Sequence, residues 1–264
     1  GGITLTSGDA VNINDDVSSA GTVTIDADSN DTATGSFDIA AGKSLNTNNN
    51  ALNITAKDLD LSGTINTGAA AVTILQSQAG ETIGLGATPA DMHLSGAEPQ
   101  NSTATGLTLG DATNGNITGD GIAVANSNNI SGTLTLNATR DNASVAFSTT
   151  ASTFNGLAVN ADDGIAVNVD VSTDVGGLAL EGDADNAADT SDNITFVAGT
   201  TLASFGNLVL NATTGNMTGA GALTLNARSG LTVNDNLTTS GATVMNADTN
   251  NNGSSVFTVA AGAA

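Results

Sequence analysis

The stretch GALTLNARSGLTVNDNLTTSGATVMNADTN (221–250) lies without a gap on GGITLTSGDAVNINDDVSSAGTVTIDADSN (1–30). The match runs on to the end of the chain, so that residues 221–264 lie on 1–44, with 13 identities among them Thr4/Thr224, Asn14/Asn234, Asp28/Asp248 and Phe37/Phe257. Most mismatches keep their type, as in Ile3/Leu223, Val11/Leu231 and Val17/Leu237. We read residues 1–220 as one long repeat and 221–264 as the start of the next, within one continuous architecture over 1–264. A second ungapped offset, 157, lays DADSNDTATGSFDIAAGKSL (26–45) on DADNAADTSDNITFVAGTTL (183–202), so the long unit contains shorter degenerate ones.

Inside these repeats the grain is finer. Alternating triplets end in Asn or Asp plus Ala: VTIDA (23–27), LTLNA (134–138), LAVNA (157–161), LVLNA (208–212) and LTLNA (223–227). Apolar residues at every second position, many β-branched, bounded by Gly, Asn and Asp, predict short strands with one face inward. The triplets stand too close together for helical crossovers. Their spacing, 15 to 29 residues and centred near 20, predicts an all-β fold, a right-handed parallel β-helix (β-solenoid) of roughly 20 residues per coil. At that coil length the chain makes roughly 13 coils and a stack about 60 Å long. A β-sandwich array is the competing architecture, but six Phe, no Trp or Tyr and two Pro do not suit its aromatic anchors and strand connections. Asn137, Asn160, Asn211, Asn226 and Asn246 recur after the triplets. They read either as an amide ladder from coil to coil or as plain turn formers.

Composition agrees. The 264 residues carry a net charge of −22, and only Lys43, Lys57, Arg140 and Arg228 are cationic. Nearly all the acids are Asp, Glu standing only at positions 81, 98 and 181, and Gly and Asn each number 32. Asp, Asn and Gly make turns where Glu and Lys make surface helices. The charge argues against nucleic acid, whose phosphates need clustered Lys and Arg, and against anionic bilayer surfaces. No apolar run reaches the roughly 20 residues that a membrane-spanning helix needs, so membrane insertion is not expected. Without Cys there is no disulfide, zinc–thiolate site or thiol nucleophile.

Chemistry is sparse, and no catalytic, cofactor-binding or metal residue is assigned. The single His93 sits in an alternating Met92-His93-Leu94 strand and reads as a surface residue. Arg140 and Arg228 stand 88 residues apart. Asp15-Asp16 and Asp162-Asp163 read as solvated turns, and no His/Asp arrangement activates any Ser or Thr. A bound calcium ion is the one cofactor weighed, on Asp26-x-Asp28-x-Asn30-Asp31 and on Asp183-x-Asp185 with Asp189 nearby. Against it, the sixth position is Asp31 where a calcium loop needs Gly, and the twelfth is Phe37 where it needs Glu. The competing reading is an acidic turn without metal.

With these residues in view, the chain resembles the filamentous-haemagglutinin-like family of giant bacterial surface and secreted proteins. GNMTGAGALTLNARSGLTVNDNLTTSGA (215–242) is similar to their degenerate repeats, and ETIGLGATPADMHLSGAE (81–98) followed by ATGLTLGDATNGNITGDG (104–121) to an element of their long tandem arrays. The resemblance implies an exported β-helical rod with an adhesion, matrix or filament role, although the family's secretion domain is not among these residues. The expectation is therefore a non-enzymatic structural segment of an extracellular or cell-surface fibre or adhesin shaft, an interior piece of a longer chain. Its partner would be itself, through end-to-end stacking or tandem repeats. A glycan- or protein-binding adhesin face is the alternative, and a β-helix polysaccharide lyase or hydrolase the third.

Overall fold

The computed structural model describes residues 1–188 and 191–260. The chain is a parallel β-solenoid whose strands follow one another around three faces and, except between Ile83–Gly86 and Met92–Leu94, pair with strands one turn away. On the first face an unbroken parallel ladder of eleven strands runs from Ile3–Thr6 to Phe257–Val259. Successive turns advance by 20 residues (Ile3↔Val23), 29 (Val23↔Leu52), 20 (Leu52↔Val72), 35 (Val72↔Leu107) and 27 (Leu107↔Leu134). They continue with 23 (Leu134↔Leu157), 21 (Leu157↔Leu178), 30 (Leu178↔Leu208), 23 (Leu208↔Leu231) and 26 (Leu231↔Phe257). Ten such steps at about 4.8 Å make a stack of about 48 Å. Spacings between triplets suggested a shorter coil because neighbouring triplets can belong to different faces.

Two further faces complete the cross-section. The second carries Ala10–Ile13, Ser36–Ile39 and Asp58–Leu61, then an eight-stranded sheet from Met92–Leu94 to Leu237–Thr239. The third carries Val17–Ser18, Ser44–Asn46 and Thr64–Asn66, which lead into the start of Ser102–Leu109. Above it the helix Val124–Ser127 fills one level, and five strands from Ser152–Phe154 to Thr243–Asn246 continue.

Alternation places the core. Val23 and Ile25 are fully buried while Thr24 between them faces water, and Ile165-Ala166-Val167 repeats the pattern. Each Val, Leu, Ile or Phe so buried stabilises the fold by about 1.5–3 kcal/mol. Three of the six Phe are the largest fully buried side chains, and Phe147 meets Phe154 edge-on with ring centroids 6.3 Å apart.

Several corners from the third face to the first share one device. A largely buried hydroxyl donates to a carbonyl two or three residues on: Ser19 to Gly21 (2.8 Å), Thr67 to Ala70 (2.8 Å), Thr173 to Gly176 (2.8 Å) and Ser204 to Asn207 (2.8 Å). The hydroxyl is the buried polar group that needs a partner, and leaving it bare inside the stack costs about 1–3 kcal/mol. Two of the carbonyls, Ala70 and Gly176, also accept a backbone N–H from the next turn, Thr105 and Gly206. Each Ser or Thr hydroxyl is satisfied locally.

Candidate functional site

The 35-residue turn is where the stack departs from its own rule. On the second face it contributes two parallel strands, Ile83–Gly86 and Met92–Leu94, with the later one on the lower level (Ile83↔Met92). The short helix Ala97–Gln100 follows. Below Met92–Leu94 lies Asp58–Leu61, which belongs to a different sheet. Across that junction side chains bridge the gap. His93 N–H donates to Asp58 Oδ1 (2.9 Å), Leu61 N–H to Glu98 Oε1 (3.2 Å), and Asn101 Nδ2 to the Leu61 carbonyl (2.6 Å).

These residues line a groove of about 390 Å³ that holds Asp58, Asp60, His93 and Glu98, the richest meeting of titratable groups in any groove described. Glu98 is buried at 8% exposure, and its second oxygen accepts from Ser95 N–H (2.6 Å). Burial pushes its carboxyl above the ordinary value of 4.5, against the hydrogen bonds from Leu61 and Ser95 that favour the anion. His93, expected on the surface, is half-buried, and its Nε2 lies 2.8 Å from the Gly86 carbonyl, to which an Nε2–H donates. Asp60 Oδ1 accepts from Ser62 Oγ (2.8 Å). A glycosidase or lyase keeps acids and bases turned toward its sugar. Here the ring Nε2 and both Glu98 oxygens are turned into the scaffold.

The residues weighed for calcium divide between separate turns of the stack. Asp28, 1% exposed, closes its own loop: its carboxylate accepts from Thr32 N–H (3.2 Å), Ala33 N–H (3.1 Å) and Ser77 Oγ (2.7 Å). Burial alone would raise its pKa, but hydrogen bonds from Ser77, Thr32, Ala33 and Gln78 hold it below 3.8. Asp31 takes a left-handed conformation (φ 53°) that serves the same turn. Asp183 is fully buried; one oxygen accepts from Thr214 N–H (2.6 Å), whereas Oδ1 has no hydrogen-bond partner among the described residues. Asp185 accepts from Ala187 N–H (2.7 Å), and Asp189 lies outside the described residues. Among the described residues, no three His, Cys, Asp or Glu side chains converge as a metal site would require.

The other acidic pairs are tied into turns. Asp15 bonds Lys43 Nζ (2.8 Å) and Asp16 accepts from Ser44 N–H (2.9 Å), while Asp162, 2% exposed, accepts from Asn142 N–H (2.8 Å). Lys57 reaches Glu81 (2.6 Å) and Asp91 (3.4 Å). The amide ladder forms in part. Asn160 Nδ2 donates to Asn137 Oδ1 (2.8 Å), and the next rungs are Glu181 and Asn211, whose Nδ2 donates to Glu181 Oε2. Asn226 and Asn246 stand in register on the third face.

One surface feature had no sequence signal. Phe205 is 41% exposed, and the Arg228 guanidinium lies 4.2 Å from its ring centroid, a cation–π contact in a groove of about 410 Å³. The two residues occupy the same corner in successive turns, following Ser204 and Ala227. Only the coil register reveals that positions 23 apart are neighbours. No protein-family model, curated protein or solved structure matches this chain.

Proposed function

We propose that this chain is a structural segment of an extracellular or bacterial cell-surface fibre, the shaft of an adhesin or filament, without enzymatic activity. The single observation that carries this reading is the unbroken first-face ladder over ten turns, with one apolar core beneath it. Such a stack transmits load along one axis through backbone hydrogen bonds, and its length scales with the number of turns. The acidic corners support the same reading, since −22 in net charge keeps neighbouring rods apart in dilute salt. The absorbed state of the titratable groups beside Glu98 favours a scaffold over a catalyst.

Negative-stain electron microscopy and small-angle scattering test the shaft. The reading expects a narrow rod about 50 Å long for this chain; a globular particle would defeat it. The Phe205–Arg228 groove favours glycan or protein binding as a second role. A glycan array compared between the native chain and Phe205→Ala/Arg228→Ala would show binding that the double variant loses.

A further inference from the structure

A shift of 220 residues carries one end of the stack onto the other in detail. The pairing Ile3↔Val23 becomes Leu223↔Thr243, and Val11↔Phe37 becomes Leu231↔Phe257. Even a loop repeats. Asp28 accepts from the amides four and five residues on, Thr32 and Ala33, as Asp248 does from Asn252 and Gly253. Yet the face changes. Ile3–Thr6 lies on the first face and its equivalent Leu223–Ala227 on the third; Ala10–Ile13 lies on the second and Gly230–Val233 on the first. From Ile3 to Leu208 the first-face ladder makes eight turns, and two further faces lead to Leu223. The 157-residue offset behaves differently: Ser36–Ile39 and Ile194–Phe196 both lie on the second face.

We infer that consecutive copies of the 220-residue unit join with a rotation of one third of a turn, each unit advancing eight and two-thirds turns. The occupant of the open edge formed by Ile3–Thr6, Ala10–Ile13 and Val17–Ser18 is the 200–219 region of a second copy. That seating already exists inside the chain. Thr200–Ser204, Asn207–Asn211 and Met217–Gly219 carry Leu223–Ala227, Gly230–Val233 and Leu237–Thr239, with Thr201↔Thr224, Leu208↔Leu231 and Met217↔Leu237 in register. Seating is what hides the apolar residues. Leu223, Leu225 and Leu231 are at most 1% exposed, whereas their equivalents Ile3, Leu5 and Val11 are only half-buried around an apolar opening of about 670 Å³. In a tandem array any corner feature then appears on a new side in each unit and returns after three units, or twenty-six turns. Two rods lying side by side cannot match one face over consecutive units, which opposes lateral aggregation of their sheets.

The inference rests on the shaft reading, and one experiment separates the two. A protein is made in which residues 1–220 run directly into a second, full 264-residue chain. The sequence has no Cys, so introduced pairs are its only thiols. Directly paired ladder residues are within the 4.4–6.8 Å Cα range of a disulfide. Thr201→Cys in the first unit with Thr4→Cys in the second is expected to oxidise to a disulfide, and so is the control pair Thr201→Cys/Thr224→Cys within the ordinary chain, whose register is Thr201↔Thr224. Val209→Cys with Thr4→Cys, the pair that a whole number of turns would align, is expected to stay reduced. Electron microscopy of the same protein is expected to show one rod longer by about 42 Å. A longer rod in which the Val209 pair closes, or neither pair does, overturns the rotation and leaves the shaft standing. Two separate bodies overturn both.

Discussion

Replacing Glu98 with Ala removes the carboxylate that stands in for a ladder partner above Asp58–Leu61. Both of its oxygens accept backbone N–H groups, from Leu61 at 3.2 Å and Ser95 at 2.6 Å, in a site where Glu98 itself is 8% exposed. Each amide left without an acceptor costs about 1–3 kcal/mol. Loss of the buried anion relieves part of that, because burial holds the Glu98 carboxyl above 4.5. The net expectation is a destabilisation of about 2–4 kcal/mol at pH 7. Amide hydrogen exchange by NMR reads it site by site: protection of Leu61 and Ser95 falls by about thirty-fold or more, since 1.4 kcal/mol is a factor of ten. The pH dependence gives a second readout. A carboxyl whose pKa is raised on folding binds its proton more tightly in the native state. Its contribution is therefore full below 4.5 and is lost as pH rises from 4.5 through the raised native value. Stability of the native chain relative to Glu98→Ala thus shrinks with rising pH across that window. Unchanged protection at Leu61 in Glu98→Ala would refute the bridging role, and a gap that widens with pH across that window would refute the dominance of burial over the hydrogen bonds.

Other perturbations address other parts of the stack. Gly35→Ala would place a Cβ 1.9 Å from the Ala27 carbonyl oxygen, so the backbone must move; the midpoint of thermal unfolding should fall by more than for Gly42→Ala, where nothing lies within 4 Å. Gly42 has a φ of 76°, so its own substitution sets the scale for backbone strain. Asp28→Ala should cost about 1–3 kcal/mol by urea denaturation at pH 7. The sign of its pH dependence is opposite to that of Glu98: the native pKa is depressed, so the contribution is present above 3.8 and is lost as pH falls through the native value. Phe147→Ala should cost about 3–5 kcal/mol, with the loss concentrated in hydrogen exchange of the turns around Val145–Phe147 and Ser152–Phe154. Adding a chelator should leave the unfolding midpoint unchanged. A drop would show that the Asp28 or Asp183 turns hold a cation after all.

Much of this architecture is written locally. VTID and LTLN alternate apolar and polar side chains, and alternation alone places Val23 and Ile25 inside and Thr24 outside. The scarcity of Glu and Lys, together with abundant Asn and Asp, leaves little but strands and corners to build. The 220-residue self-match is likewise a property of the string, readable before any coordinates. Three things were decided by the tertiary structure. How many residues make a turn depends on which triplets share a face, and a triplet looks the same on all three. The direction in which a repeat faces depends on the loops summed between its copies, so one offset keeps its face and the other turns by a third. At the junction above Asp58–Leu61, Glu98 acts as a ladder partner because the extra strand Met92–Leu94 breaks the regular stack there. Its partner amide at Leu61 is 37 residues away. Local sequence sets how each strand presents its side chains, whereas the stacking of distant turns sets which groups meet.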